Sequence, residues 1–167
     1  MARIHKLEIE NFRGIKSFNE NFRDKDFLCL VGRGDSCKST IIEAIAFVLS
    51  PSYSIPVTDA DFYDIDSNKD IFIRAYLYDI PEKFRKEEKF GGFMISLDDP
   101  GAELNGEEEG DIGLCVELHI AKDLEPEWNI ICPRHTDDRE RRSISGADRG
   151  LLGAFKISEF LTSQFSW

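Results

Sequence analysis

Apolar residues alternate with polar ones, or form short apolar runs, in six stretches of the chain, and such patterns predict strands. These stretches span residues 4–12, 17–22, 70–80, 93–97, 114–121 and 128–132. The first two are separated by a turn at Arg13-Gly14, and the last two by a turn at 123–126. Consecutive strands joined by such turns predict an antiparallel β-meander.

Other stretches have different periods. Residues 26–31 form a continuous apolar run, which is typical of a buried strand in a parallel arrangement. Residues 38–49 carry apolar side chains at helical spacing, and Ser50-Pro51 ends that predicted helix. Short helices are also expected at 82–89, after Pro81, and from Gly150 onward, whereas the acidic, turn-rich stretch 51–68 predicts a loop.

A glycine-rich segment lies between the apolar run and the first helix. Residues 32–40 read Gly-Arg-Gly-Asp-Ser-Cys-Lys-Ser-Thr. They fit the phosphate-loop pattern G-x-x-x-x-G-K-[ST] except that Cys37 replaces the second glycine. Strand, loop and helix in this order are the context that the pattern requires, so the sequence predicts an α/β fold of the P-loop NTPase type.

This pattern has a direct chemical meaning. Backbone N–H groups of the loop and of the first helical turn form a concave site for anionic oxygens. Lys38 would reach the β- and γ-phosphates, the Ser39 hydroxyl would complete a Mg²⁺ shell, and Thr40 could bond a phosphate oxygen nearer the sugar. With ATP and Mg²⁺ as cofactors, the candidate binding residues are Gly32, Arg33, Gly34, Asp35, Ser36, Cys37, Lys38, Ser39 and Thr40. The alternative is a plain turn before a buried helix.

Cys37 stands where glycine lets the backbone approach the phosphate. A side chain there could crowd the phosphate, and if the backbone needs a positive φ it adds strain of roughly 1–2 kcal/mol. Weakened nucleotide binding is our preferred hypothesis. The alternatives are a degenerate, inactive loop and a substitution that disables turnover. A redox-sensing thiol at a helix N-terminus is a further possibility.

Composition limits the classes of protein that fit. A chain of 167 residues with 41% hydrophobic content is long enough for one domain with a core. It has no apolar run of membrane-spanning length and no signal-peptide pattern, and its four cysteines include no C-x-x-C pair, so we expect a cytoplasmic protein. Cys29 and Cys115 lie in apolar runs and are expected to be buried.

Charge is distributed unevenly. With 32 acids against 21 bases the net charge is −11, which argues against this segment alone clamping nucleic acid. Acids crowd residues 98–111, where we expect a solvated loop. The basic run is either a solvated approach to a helix, which we favour, or a set of phosphate contacts. It comprises Arg134, His135, Arg139, Arg141, Arg142 and Arg149.

One segment imitates a magnesium-binding strand. Residues 93–100 end an apolar stretch with Asp98 and Asp99, as a Walker B strand does. The acids, however, continue directly into the acidic loop, so we expect a plain surface role and assign no catalytic residue.

The residues Leu7 to Ile15, followed by the phosphate loop, resemble the N-terminal ATPase lobe of the SMC/RecF group. Within that group, the loop sequence and Asp-Leu-Glu-Pro-Glu-Trp at 123–128 make the chain most similar to OLD-type ATP-dependent endonucleases. The resemblance implies an ABC-type ATPase lobe with an antiparallel β-meander, which closes as a head-to-head dimer around two nucleotides and serves DNA processing or phage defence. It also implies that Arg13 lies near the nucleotide; the alternative is a plain turn arginine.

The resemblance covers most of residues 3–153 and does not extend to the other motifs of a complete ATPase. We find no signature segment, Walker B acid pair, switch histidine or Toprim nuclease domain, and Gln164 is the only glutamine, so the γ-phosphate sensor is unassigned. We expect residues 1–157 to form an incomplete ATPase lobe and 158–167 a tail of uncertain origin. Little or no turnover is expected from this chain alone. The sequence has no credible base and no guanine-reading Asn-Lys-x-Asp, which argues against a small kinase or GTPase.

Two classes of function follow. In the first, the chain binds ATP–Mg²⁺ weakly, associates with itself or with another ATPase lobe, and meets DNA only through parts that it lacks, with no membrane contact. In the second, the chain is a non-catalytic interaction protein, a degenerate lobe that associates with an intact homologue or another subunit.

Overall fold

The computed structural model describes residues 2–22, 27–101, 112–134 and 141–153. Every pairing between its strands is antiparallel, which confirms the predicted meander. Across the sheet the order is β2-β1-β3-β5-β6-β7, and β4 pairs with β5 off this path. The strands are β1 (Arg3–Phe12), β2 (Ile15–Asn21), β3 (Ile71–Tyr78), β4 (Ile95–Ser96), β5 (Ile112–Ile120), β6 (Pro126–Ile131) and β7 (Arg141–Ser143).

One long helix, α1 (Lys38–Val48), packs against the inner face of the sheet. Its buried residues recur every three or four positions because that spacing keeps them on one face of a helix. On the facing side of the sheet, alternate residues of the central strands are buried, and Ile9 and Ile73 among them are fully buried. The rings of Phe12 and Phe47 meet at 5.8 Å. The buried residues of α1 are Thr40, Ile41, Ala44, Phe47 and Val48.

The C-terminal end of α1 and the residues after it are held by hydrogen bonds from β6 and from a second helix. The indole Nε1 of Trp128 donates to the carbonyl of Phe47 at 3.1 Å. Arg149, on the short helix α2 (Gly146–Leu152), stacks over Trp128 at 4.0 Å and donates to the carbonyls of Ser50 and Ser52. The Trp128 bond reaches a carbonyl in the last turn of α1, and the Arg149 bonds hold the segment that follows the helix, so together they fix where the chain leaves α1.

The outer face of the sheet carries a charged group on its central strands beside a second buried apolar cluster that includes Tyr76, Cys115 and Ile95. Arg74 on β3 donates to Glu117 on β5 at 2.7 Å, and Arg141 on β7 lies 3.1 Å from the other Glu117 oxygen. Glu117 is only 1% exposed, so these two guanidinium groups provide the compensation that a buried carboxylate needs.

The strand predicted at residues 26–31 is not seen. Residues 27–33 have no regular secondary structure, Phe27 and Val31 are 83% and 88% exposed, and Cys29 is exposed rather than buried. Hydrophobicity signals that a segment tends to be buried, but a strand also needs a neighbour to bond, and none of the described strands pairs with this segment. The prediction of a parallel strand is therefore wrong for the described residues.

Two further predictions need correction. The helix expected at 82–89 is a single 3₁₀ turn, Glu82–Phe84, because burial and stacking of Phe84 and Phe90 decide the path of this segment. The basic run does not approach a helix in solvent: Arg141 and Arg142 form β7, and Arg149 is 1% exposed.

Several expectations fall partly or wholly outside the described residues. They concern most of the acidic stretch, His135 and Arg139 of the basic run, and the chain after residue 153. Helix α2 begins four residues before the helix expected from Gly150. No helix in the described ranges has the length and apolar character to cross a membrane.

Gly113 on β5 provides a test of strand packing. A Cβ at this position would overlap the carbonyl oxygen of Leu77 and lie 2.9 Å from the Leu97 side chain. We expect Gly113→Ala to lower the free energy of unfolding by about 1–3 kcal/mol, because backbone and core must both shift. Urea denaturation measures this. Gly92→Ala, whose Cβ would meet nothing within 4 Å, is the matched control and should leave stability nearly unchanged.

Candidate functional site

The start of α1 is open to a ligand. Cys37 occupies the N-cap position without making a side-chain capping bond, and the first turn contains no acidic residue. The first N–H groups of a helix have no intrahelical acceptor and carry the positive end of the helix dipole. The described residues therefore leave these donors available to an anion.

A cavity of about 950 Å³ lies over this helix start. Residues 34–42 line it together with Ile45, Gly14 and the segment 27–30. Seven of the nine predicted loop residues, Gly34 to Thr40, are thus brought to one cavity, whereas Gly32 and Arg33 do not line it. Ser39 is exposed and lines the cavity, so its hydroxyl is accessible from it, and Thr40 is buried.

The ammonium of Lys38 lies folded into the loop. Its Nζ donates to the carbonyl of Gly32 at 3.0 Å, to the Ser36 hydroxyl at 2.8 Å and to the carbonyl of Arg33. An ammonium has three donors, and all three are used here. To bind phosphate, Lys38 would have to exchange these acceptors for phosphate oxygens, because none of its three donors is unused.

The backbone of Cys37 has a positive φ, the conformation that favours glycine at this position of the motif. Its φ is 57° and its ψ 16°, in the left-handed region where a residue with a Cβ is strained. A Cβ added to Gly14 would lie 2.8 Å from Cys37 Sγ, so the thiol packs against the β1–β2 turn. Because Gly14 has no side chain, it leaves room for the Cys37 side chain, which replaces a glycine of the loop motif.

Arg13 lies on the same turn but does not line the cavity. Its Nε donates to Asp61 Oδ1 at 2.7 Å, and its backbone N–H donates to the carbonyl of Asp61 at 2.7 Å. The guanidinium lies 5.0 Å from the ring centre of Phe12 and 5.7 Å from that of Phe47 on α1. Arg13 is thus held by an ion pair, a backbone hydrogen bond and two aromatic rings. The next residue, Gly14, lines the cavity.

Asp61, which holds Arg13, was not singled out from the sequence. Its Oδ2 accepts from the backbone N–H of Thr58 at 2.8 Å and from the Thr58 hydroxyl at 3.1 Å. Burial raises the pKa of Asp61, but the hydrogen bonds from Arg13 and Thr58 outweigh burial and leave this pKa below its usual value. The spacing Thr58-x-x-Asp61 is a recognisable capping pattern, whereas its pairing with Arg13 carries no local sequence signal.

The two acids that imitate a Walker B pair lie elsewhere. Asp98 and Asp99 follow β4, which pairs with β5, and neither lines the cavity. Among the described residues, no group of three or more His, Cys, Asp or Glu side chains is arranged to hold a metal ion. Ser39 stays the one residue that the sequence predicts as a metal contact.

Comparison with known proteins assigns the class. Residues 3–141 match the sequence model of the AAA ATPase domain, and the chain belongs to that family. The fold is similar to that of a solved chain from a structural study of ATP-driven dimerization and DNA-stimulated activation of SMC ATPases. That chain is 17% identical, with a TM-score of 0.50 over 89% of this chain and 76% of the other. No curated protein sequence matches this chain.

The contact between Gly14 and Cys37 predicts a coupled pair of mutations. Gly14→Ala should destabilise the protein because its Cβ meets the thiol, and Cys37→Gly should stabilise it by about 1 kcal/mol through relief of left-handed strain. In the Cys37→Gly background, Gly14→Ala should cost much less. Denaturant unfolding of the four proteins measures the coupling; additive effects would show that the two residues do not touch.

Proposed function

We propose that this domain binds ATP with Mg²⁺ at residues 32–40. The observation that carries the proposal is the uncapped start of α1 beneath a cavity that Lys38 and Ser39 line. The family match supports it, because an AAA ATPase domain implies nucleotide binding. Lys38 would exchange its loop acceptors for phosphate oxygens, and the Ser39 hydroxyl would contact the metal, whose charge would neutralise the phosphates.

Cys37 points to weak binding for a conformational reason. The thiol packs on the β1–β2 turn, and the residue also lines the cavity. Backbone strain at φ 57° raises the free energy of the loop conformation that presents the amides. Glycine at this position would hold the same conformation at lower cost, so the loop would be better prepared for a ligand.

ATP binding by the chain can be measured directly by titration calorimetry in the presence of Mg²⁺. We expect Lys38→Ala to weaken binding at least tenfold because a charge-assisted bond to phosphate is lost, and Cys37→Gly to strengthen it several-fold. Lys122→Ala, at an exposed lysine in the β5–β6 turn, is the matched control. Equal affinities for the parent chain and Cys37→Gly would end the weakened-binding hypothesis, and unchanged binding by Lys38→Ala would end the proposed site.

We further propose that the domain is the nucleotide-binding lobe of an OLD-like ATPase. The motifs at 7–15, 32–40 and 123–128 support this, and the family assignment is compatible with it. In such a protein, ATP would control DNA cleavage by a separate nuclease domain. Hydrolysis would need groups from a partner lobe, so this chain alone should turn over ATP slowly or not at all.

Association with another ATPase lobe follows from the same proposal. The SMC ATPase in the structural comparison undergoes ATP-driven dimerization. Beside the loop of the present chain, the apolar side chains of Phe27, Val31 and Ile42 are exposed, which is unusual for a surface that meets only water. The alternative, an interaction protein that no longer uses nucleotide, would associate through the same surface without ATP.

Light scattering after size exclusion separates the two alternatives. An ATP-dependent lobe should gain mass only with ATP and Mg²⁺, and Lys38→Ala should abolish the gain. A non-catalytic interaction protein should give the same mass with and without nucleotide. Mass that stays monomeric under every condition would rule out self-association and leave pairing with a different lobe, tested by mixing the chain with that lobe.

A further inference from the structure

We propose that a cavity near the C-terminal end of α1 binds a carboxylate ligand with a flat apolar group, and that Arg149 recognises the carboxylate. The cavity measures about 650 Å³, within the size range of small-molecule sites. Residues of α2, β6, β7 and the segment after α1 line it, and it shares no lining residue with the loop cavity. The inference is therefore independent of the ATP site proposed above.

The positive charge of Arg149 is not balanced by any carboxylate that the structure describes. Arg149 is 1% exposed, and burial lowers its pKa, although a guanidinium stays protonated at neutral pH. The ionisable neighbour that opposes this effect of burial on the pKa is Tyr53 rather than an acid. The adjacent Asp148 is paired with Lys83 at 3.0 Å and with Lys89 at 2.7 Å. Arg149 is thus a buried cation without a counter-ion, which is costly unless other groups compensate it.

Three backbone carbonyls compensate the guanidinium in part. Its Nε donates to Ser50 at 2.6 Å, its Nη1 to Ile144 at 2.6 Å and its Nη2 to Ser52 at 2.8 Å. A guanidinium has five N–H donors, so these bonds leave one N–H on each terminal nitrogen for a further acceptor. A carboxylate accepts from two such donors at once and also supplies the missing negative charge.

Contacts of the guanidinium with other lining residues place it at the cavity. Its central carbon lies 4.0 Å from the ring centre of Trp128 and 5.9 Å from that of Tyr53, and Ile144 accepts one of its bonds. Tyr53 is 73% exposed, so its ring is accessible to a ligand. A cation beside an accessible aromatic ring suits a ligand with a carboxylate at one end and a flat apolar group at the other.

One acid near the guanidinium limits the charge of the ligand. Among the described residues, Glu127 is the acid that lines this cavity, and its side chain is 68% exposed. A ligand with several negative charges would be repelled by this carboxylate and by the net charge of −11. A ligand with a single carboxylate meets less repulsion and still gains the charge-assisted bonds to Arg149.

Fluorescence of Trp128 provides the test, because its ring lies against Arg149 in the cavity wall. The chain has two tryptophans, so Trp167→Phe leaves Trp128 as the single reporter. Titration with 3-phenylpropionate should change this fluorescence to saturation. The uncharged 3-phenylpropionamide should bind about tenfold more weakly. No saturable change, or equal affinity for the acid and the amide, would overturn the proposal.

Two variants change the cavity without altering Arg149. Ser143→Asp puts a fixed carboxylate in the cavity wall and should weaken binding of 3-phenylpropionate roughly fivefold. Its matched control is Ser17→Asp on β2, at the opposite edge of the sheet. Tyr53→Ala removes the exposed ring and should also weaken binding several-fold, with Leu151→Ala, at another exposed apolar side chain, as control. Parent affinity in both Ser143→Asp and Tyr53→Ala would overturn the proposal.

Arg149 is tested together with a stability measurement, because it also holds the chain after α1. Arg149→Lys keeps the charge but loses the planar fork, and we expect binding about tenfold weaker than in the parent chain. Parent affinity in a folded Arg149→Lys would overturn the role of the guanidinium. If urea unfolding shows that this variant does not fold, Ser143→Asp and the acid–amide comparison decide.

A second probe distinguishes two sources of the carboxylate. The peptide acetyl-Ala-Gly-Phe carries it at a chain end, and the same peptide with a C-terminal amide is its control. Tighter binding of the peptide acid than of 3-phenylpropionate assigns the site to a peptide C-terminus, and weaker binding assigns it to a small molecule; both results support a carboxylate site. Lys38→Ala should bind either acid as the parent chain does, so failure of one site leaves the other standing.

Discussion

The packing of the β1–β2 turn against α1 is the interaction on which the rest of the candidate site depends. Three consecutive residues make it: Phe12 packs its ring on Phe47, Arg13 bonds Asp61, and Gly14 accommodates the thiol of Cys37. Because α1 begins directly at the loop, any shift of this turn would move the helix start and the amides that it presents. The turn therefore links the sheet to the candidate phosphate site.

Two features of the loop, the hydrogen bonds of Lys38 and the backbone conformation of Cys37, affect how strongly it can bind a ligand. Lys38 gives all three donors to the loop, which stabilises its fold but leaves no donor uncommitted. Cys37 holds a left-handed conformation at a cost of about 1–2 kcal/mol. Both features lower the expected affinity for nucleotide without altering the arrangement of the motif, so weak binding and a well-formed loop are compatible.

Electrostatics reinforces the need for local cations. A net charge of −11 gives the protein a field that repels a triphosphate at long range. Binding must then rely on short-range terms at the site, namely the helix dipole, the ammonium of Lys38 and the metal ion.

The sequence by itself determined the local features: alternating strands of the meander, the helix from Lys38, and a glycine-rich loop in which Cys37 replaces a glycine. These depend on residues close in the chain, where periodicity and backbone sterics act directly. Tertiary structure alone decided that residues 27–31 lack a strand partner, that Arg149 is buried, and that Arg13 pairs with Asp61. Each of these depends on which distant segment supplies a bonding neighbour, and local pattern carries no information on that choice.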